Sequence, residues 1–142
     1  MTTFTCYSMV VKGWGFRVDT WNIDSLTGRA GELVEVLAER RMDVACVQET
    51  RWRGSGCRFF GGIGKRYKLF WMGSKAKSHS VGIFVAEKWV DSVVSVESHS
   101  ERVLVLKMVL GDCLLNVSRY MLLTRGNLMR KRRVSGTKYF IW

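Results

Sequence analysis

Proline is absent from the 142 residues, histidine occurs only twice, and acidic residues are scarce, 12 against 23 lysines and arginines. With no proline, no internal repeat and no low-complexity stretch, no proline-rich or repetitive linker divides the chain. The four cysteines, Cys6, Cys46, Cys57 and Cys113, show no C-x-x-C spacing and have no nearby histidine pair, which argues against a zinc centre. Reduced, mostly packed thiols are the expectation. No apolar run approaches the roughly 20 residues that span a bilayer. The opening MTTFTCYSMVVKGWGF has neither the charged start nor the long apolar stretch of a secretory leader. An intracellular chain with no membrane partner is therefore expected.

What is present fits one ordinary globular domain: 47% of the residues are hydrophobic and 25% charged. The net charge of +11 is the compositional outlier. From Arg125 onward there are six basic residues and no acid, which leaves 17 basic against 12 acidic residues in the body. Such an excess favours polyanions, nucleic acid above all, through counterion release and steering. The plainer alternative is a solvated charged surface.

Periodicity predicts the elements. Phe16 to Ile23 (FRVDTWNI) alternates as a strand, and Ala30, Leu33, Val34 and Leu37 recur at the spacing of a helix face from about Ala30 to Arg41, with Thr27 or Ser25 as candidate caps. DVACVQ reads as a short buried strand, RGSGCRFFGGIGK as a flexible glycine-rich loop, and YKLFWMG as another strand. SVGIFVAEKWV, SVVSVES and ERVLVLKMVLGDCLLNVSRYML predict four more strands, with Gly111-Asp112 as a hairpin turn. In Val103 to Val109 both faces are apolar apart from Lys107, which predicts a strand covered on both sides. After Thr124 the pattern fades into RGNLMRKRRVSGTKYFIW, so a domain over 16–124 and a basic, irregular tail over 125–142 are expected.

The ordered set WNIDSLTGRAGELVEVLAERRMDVACVQETRW, the glycine-rich loop, YKLFWMG, SVGIFVAEKW and ERVLVLKMVL, covering Phe16 to Tyr120, resembles the endonuclease/exonuclease/phosphatase superfamily. Within it the likeness is to craniofacial development protein 2-like sequences and to the apurinic-type endonuclease domain of non-LTR retrotransposons. The resemblance implies a sandwich of two sheets with helices outside and a metal-dependent phosphodiesterase site along the strand ends. It implies that Asn22 orients the phosphate or hydrogen-bonds within the site, that Glu49 holds a divalent ion, usually magnesium, and that Tyr120 closes a strand near the phosphate. Gln48 becomes a substrate contact or a support for the residues that touch substrate, and Arg102 a candidate substrate contact. Without the resemblance, Asn22 is a turn or cap residue, Glu49 an exposed strand-end carboxylate, Tyr120 an ordinary sheet aromatic and Arg102 a salt-bridge residue.

The family's later Gly-Asp-x-Asn and Ser-Asp-His segments do not occur in the sequence. GDCL at Gly111 to Leu114 precedes the tyrosine strand and lacks the asparagine, and the two Ser-His-Ser triplets around His79 and His99 lack the aspartate and are expected in loops. One metal carboxylate cannot orient a nucleophile, supply a base and stabilise charge together. The expected protein is therefore a truncated, retroelement-derived endonuclease-like chain, catalytically incomplete alone, binding magnesium weakly or not at all. The alternatives are a small basic nucleic-acid-binding or nuclear interaction protein, with Arg130 to Arg133 as an import or binding patch, and a nuclease completed by a second chain. The expected fold is α/β, an incomplete half of the DNase I-like sandwich: one mixed sheet of about six strands with one main helix. Its other face would be uncovered and open to self-association.

Overall fold

The computed structural model describes residues 3–11, 14–23, 26–48, 50–72, 80–100, 103–111, 113–118, 123–127 and 139–140. In chain order the elements are β1 (Thr3–Val11), β2 (Trp14–Asn22), α1 (Ala30–Glu39), β3 (Val44–Gln48), β4 (Ser55–Phe60), β5 (Tyr67–Met72) and β6 (Val81–Ala86), followed by α2 (Glu87–Val90), β7 (Val93–Ser100), β8 (Val103–Leu110), β9 (Cys113–Ser118), β10 (Leu123–Asn127) and β11 (Tyr139–Phe140). The fold is mixed α/β, mostly strand. A six-stranded sheet runs β1-β2-β3-β6-β5-β4 and a five-stranded sheet β11-β10-β9-β8-β7. The only parallel pair among the described strands is β2 with β3, joined through α1. The backbone thus enters a strand before Phe16 and forms short strands beyond Thr124.

Side chains alternate between faces along a strand, and the first sheet uses this to build two cores. Phe16, Val18, Val44, Cys46, Val81, Ile83 and Val85 pack against Leu104, Leu106, Met108, Leu110, Leu115 and Val117 of the second sheet. On the opposite face Trp21, Ala45, Val47, Leu69 and Phe84 pack against Ala30, Leu33, Val34 and Leu37 of α1. All six residues of β6 are buried, as befits a strand covered on both faces.

Several expectations are corrected by this arrangement. Instead of one mixed sheet there are two: β7, β8 and β9 belong to a second sheet, and the inner apolar row of β8 and β9 covers the face expected to be open, which removes the uncovered face that self-association was to use. β8 itself is buried on one face only. Leu104, Leu106, Met108 and Leu110 are buried whereas Val105, Lys107 and Val109 are partly exposed, and Lys107 reaches Glu97 at 3.5 Å. The glycine-rich loop contains β4, paired residue by residue with β5 from Ser55 opposite Met72 to Phe60 opposite Tyr67. Cross-strand pairing with a well-defined neighbour overrode the glycine signal. His99 lies within β7 rather than in a loop, and His79 lies outside the described residues.

The helix ends at Glu39, sooner than the expected Arg41. Arg41 adopts φ 54°, its N–H donates to the Ala38 carbonyl, and Met42 N–H donates to the Leu37 carbonyl at 2.9 Å. This pair of bonds is a Schellman cap, sealed by the buried Leu37 and Met42. At the other end the cap position is Arg29, which makes no side-chain cap bond, rather than Thr27; Ser25 lies outside the described residues. The next residue after the cap, Asp43, is buried and ties three elements together. It accepts from Arg17 N–H at 2.7 Å and Trp89 Nε1 at 2.6 Å, and Lys88 Nζ approaches to 3.2 Å. At the β8–β9 hairpin, Leu110 pairs with Cys113 and Gly111 takes φ 64°, as the turn between them requires.

Candidate nucleic-acid site at the strand ends

β2 and β3 run parallel, so both deliver their last residues to the same edge of the sheet. Asn22 and Gln48 are register partners there, and Ile23 N–H donates to the Gln48 carbonyl at 3.3 Å. β6 runs antiparallel beside β3, and Val81 at its start faces Gln48. Asn22, Gln48 and Val81 therefore lie together at one end of the sheet.

The threonine of Gln48-Glu49-Thr50 holds this end together. Thr50 is fully buried. Its carbonyl accepts from Leu26 N–H at 3.0 Å, and its hydroxyl oxygen accepts from Trp52 N–H at 3.4 Å, a short side-chain turn of the kind Ser and Thr make. Arg51 N–H donates to the hydroxyl of the buried Ser80, just ahead of β6. Arg51 also has φ 59°, a conformation that costs a side-chain-bearing residue about 1 kcal/mol or more. The strand thus turns polar because two hydroxyls and two neighbouring loops pin the exit backbone.

Beyond this pin the chain opens a pocket of about 440 Å³ lined by Arg51, Trp52, Arg53 and Trp71. Both indoles are partly exposed and both arginines exposed. Trp52 meets Trp71 edge to face, with ring centroids 5.1 Å apart at 86°, and lies 5.9 Å from Phe60. Trp71 sits between Gly56 and Gly82 in the sheet register. A Cβ on Gly56 would come within 2.9 Å of its ring, so that glycine makes room for the indole. On the same face Arg58 lies over Phe60, 5.2 Å from the ring centroid.

Of the residues expected to form the site, Asn22 and Gln48 are brought together by backbone register. Glu49, Arg102 and Tyr120 lie outside the described residues, as does the run from Arg130 to Arg133. No group of three or more metal-ligating side chains occurs among the described residues. The described polar side chains at this end, Gln48, Thr50 and Ser80, offer neutral oxygens, a poor match by themselves for a hard divalent ion that prefers carboxylates. Thiol chemistry has no foothold in the core beneath. Burial pushes the Cys46 thiol up to about 12, so it stays protonated and unreactive. No helix among the described residues is long and apolar enough to cross a membrane.

The residues that reading the sequence left without a role are Trp52, Arg53 and Trp71. The signal was the Arg-Trp-Arg run directly after the motif strand, but its partner Trp71 is contributed by β5, well further along the chain. No family model, curated protein or solved structure matches this chain.

Proposed function

We propose that this chain is a retroelement-derived, endonuclease-like protein that binds nucleic acid at the ends of β2 and β3 and is catalytically incomplete by itself. The observation that carries the reading is the register of Asn22 with Gln48 on parallel neighbouring strands. It sets Trp21-Asn22 beside Val47-Gln48, as a phosphate site built from both strand ends would need. The net charge of +11 supports a polyanionic partner. Asn22 would orient a phosphate through its amide, Gln48 would hydrogen-bond the same group, and Glu49 would be the carboxylate to meet a magnesium ion, which would supply Lewis-acid stabilisation of the phosphate. Arg102 and Tyr120 complete the proposed contacts. Without Gly-Asp-x-Asn and Ser-Asp-His in the sequence, no residue is assigned to hold the attacking water or protonate the leaving oxygen.

The test combines binding with turnover. Labelled DNA and RNA should bind with an affinity that falls steeply with salt. Replacing Arg130, Lys131, Arg132 and Arg133 by Gln should weaken binding alike across unrelated sequences and flatten the slope of log K against log salt by about 0.9 for each duplex phosphate that is no longer neutralised. With magnesium, the purified protein should nick supercoiled or abasic DNA no faster than its Glu49→Ala variant. Cleavage that disappears in Glu49→Ala would overturn the incomplete-site reading, and absence of salt-dependent binding would overturn the nucleic-acid reading.

A further inference from the structure

The pocket beside the strand ends has a composition that the phosphodiester site does not require. Among the described residues, two arginines and two tryptophans line it. Two partly exposed indoles in contact with each other give one apolar patch that a flat aromatic ligand could cover. Here the exposure is enforced by the frame. Thr50 is buried and bonded to Leu26 and Trp52, while the Arg51 backbone is held by Ser80. The left-handed Arg51 then turns Trp52 back over the sheet, where it meets Trp71 and Phe60. The strained residue thus sits at the point where the arginine-tryptophan pair is aimed.

We propose that this pocket is a stacking site for an unpaired nucleobase, with Arg51 and Arg53 meeting the flanking phosphates, so that the chain prefers single-stranded nucleic acid to duplex. The inference rests on the nucleic-acid reading above and names its substrate class. Base-on-indole stacking needs a base whose face is free, which a duplex does not offer, and it tolerates any sequence because every base has a π-face. The nearly perpendicular pair is suited to this: a base stacked on one indole abuts the edge of the other. A guanidinium on either side of Trp52 in the chain matches the phosphate that precedes and follows a stacked base. Arg58 over Phe60 continues the same face away from the pocket with one more cation on an aromatic ring, extending a basic and aromatic track along β4.

The experiment measures binding of a fluorescein-labelled mixed-sequence 12-mer, of the same sequence as a duplex, and of thymidine and adenosine monophosphates, to the full chain, with indole fluorescence as a second signal. The single strand should bind at least tenfold more tightly than the duplex and quench tryptophan emission. Mononucleotides should bind far more weakly than the strand. Trp52→Leu should weaken single-strand binding about 10- to 100-fold, in line with the known worth of one stacked base, and shift duplex binding by less than about twofold. Arg53→Gln should weaken both. Because Trp52 also packs on Phe60, Gly56→Ala serves as the second variant: it keeps every pocket residue and displaces the Trp71 ring. It should lower single-strand affinity severalfold with an unchanged urea midpoint. Equal affinity for strand and duplex, equal losses for both in Trp52→Leu, or mononucleotides bound as tightly as the strand would each overturn the stacking site while leaving the nucleic-acid reading standing. Absence of binding to every nucleic acid would overturn both.

Discussion

Asn22 and Gln48 face each other as the last partners of the parallel strands β2 and β3. Neighbouring strands lie about 4.8 Å apart, so two residues at one register position can act on a single phosphate. Single Asn22→Ala and Gln48→Ala variants should each lower oligonucleotide affinity several-fold. If the two share one ligand group as proposed, their double variant should lose less than the product of the two, with a coupling of about 0.5 kcal/mol or more. Strict additivity in a binding double-mutant cycle would separate their roles.

The second sheet is docked through one row of side chains, and Leu106 lies at its middle, fully buried against the first sheet. Leu106→Ala should cost about 3 kcal/mol in urea unfolding, from forfeited transfer free energy and the cavity left behind. Val105→Ala, on the partly exposed face of the same strand, should cost well under half as much. Similar losses at both positions would mean that β8 is covered on both faces after all.

Arg41 carries the left-handed residue of the Schellman cap with a full side chain. Glycine takes that conformation without the Cβ clash. Arg41→Gly is therefore expected to raise stability by about 0.5 to 1 kcal/mol despite the greater entropy of the unfolded chain, an unusual sign for a glycine substitution. A loss of stability in thermal or urea melts would show that the Arg41 side chain makes up for its backbone strain.

Tyr67 and Cys46 set the alkaline limit of the fold. Burial, aided by the nearby Asp43 and Asp19 carboxylates, lifts the Tyr67 phenol from 10.0 to about 12, and burial alone lifts Cys46 from 9.0 to about 12. Both groups are protonated in the folded and unfolded states at neutral pH, so neither affects stability there. Above pH 9 for the thiol and 10 for the phenol the unfolded chain ionises while the folded chain cannot, and stability falls as pH rises toward about 12. Urea midpoints measured from about pH 8 to about 12 should fall, and Tyr67→Phe should flatten the upper part of that fall. At neutral pH the same variant should cost about 1 kcal/mol, since the hydroxyl hydrogen-bonds the Met42 and Leu37 carbonyls. A thiol reagent at about pH 8 should label the exposed Cys57 rapidly and Cys46 only on unfolding.

Much of the element order was legible in the chain because apolar residues repeat at the period of the element they build. The Ala30, Leu33, Val34, Leu37 face became the buried face of α1, and VACVQ, YKLFWM, VGIFVA and VLVLKMVL each became a strand. β4 was not legible, since its exposed Ser-Gly-Cys-Arg-Phe-Phe has little apolar alternation and owes its form to pairing with β5. The end of α1 was overestimated because the apolar period stops at Leu37 without marking where the helix closes, and the cap depends on backbone angles that composition does not report.

By itself the amino-acid sequence determined which residues are apolar enough to form a core, where the charge accumulates, and that one strand closes at Asn22 and another at Gln48. Those are local properties, carried by periodicity and composition. Only the tertiary structure decided that β2 and β3 are parallel neighbours in register, that a second sheet covers the face left open in a one-sheet reading, and that Trp71 crosses from β5 to meet Trp52. Each of these joins segments far apart along the chain. Their pairing is settled by which buried surfaces fit together, a property of the whole fold that no window of sequence contains.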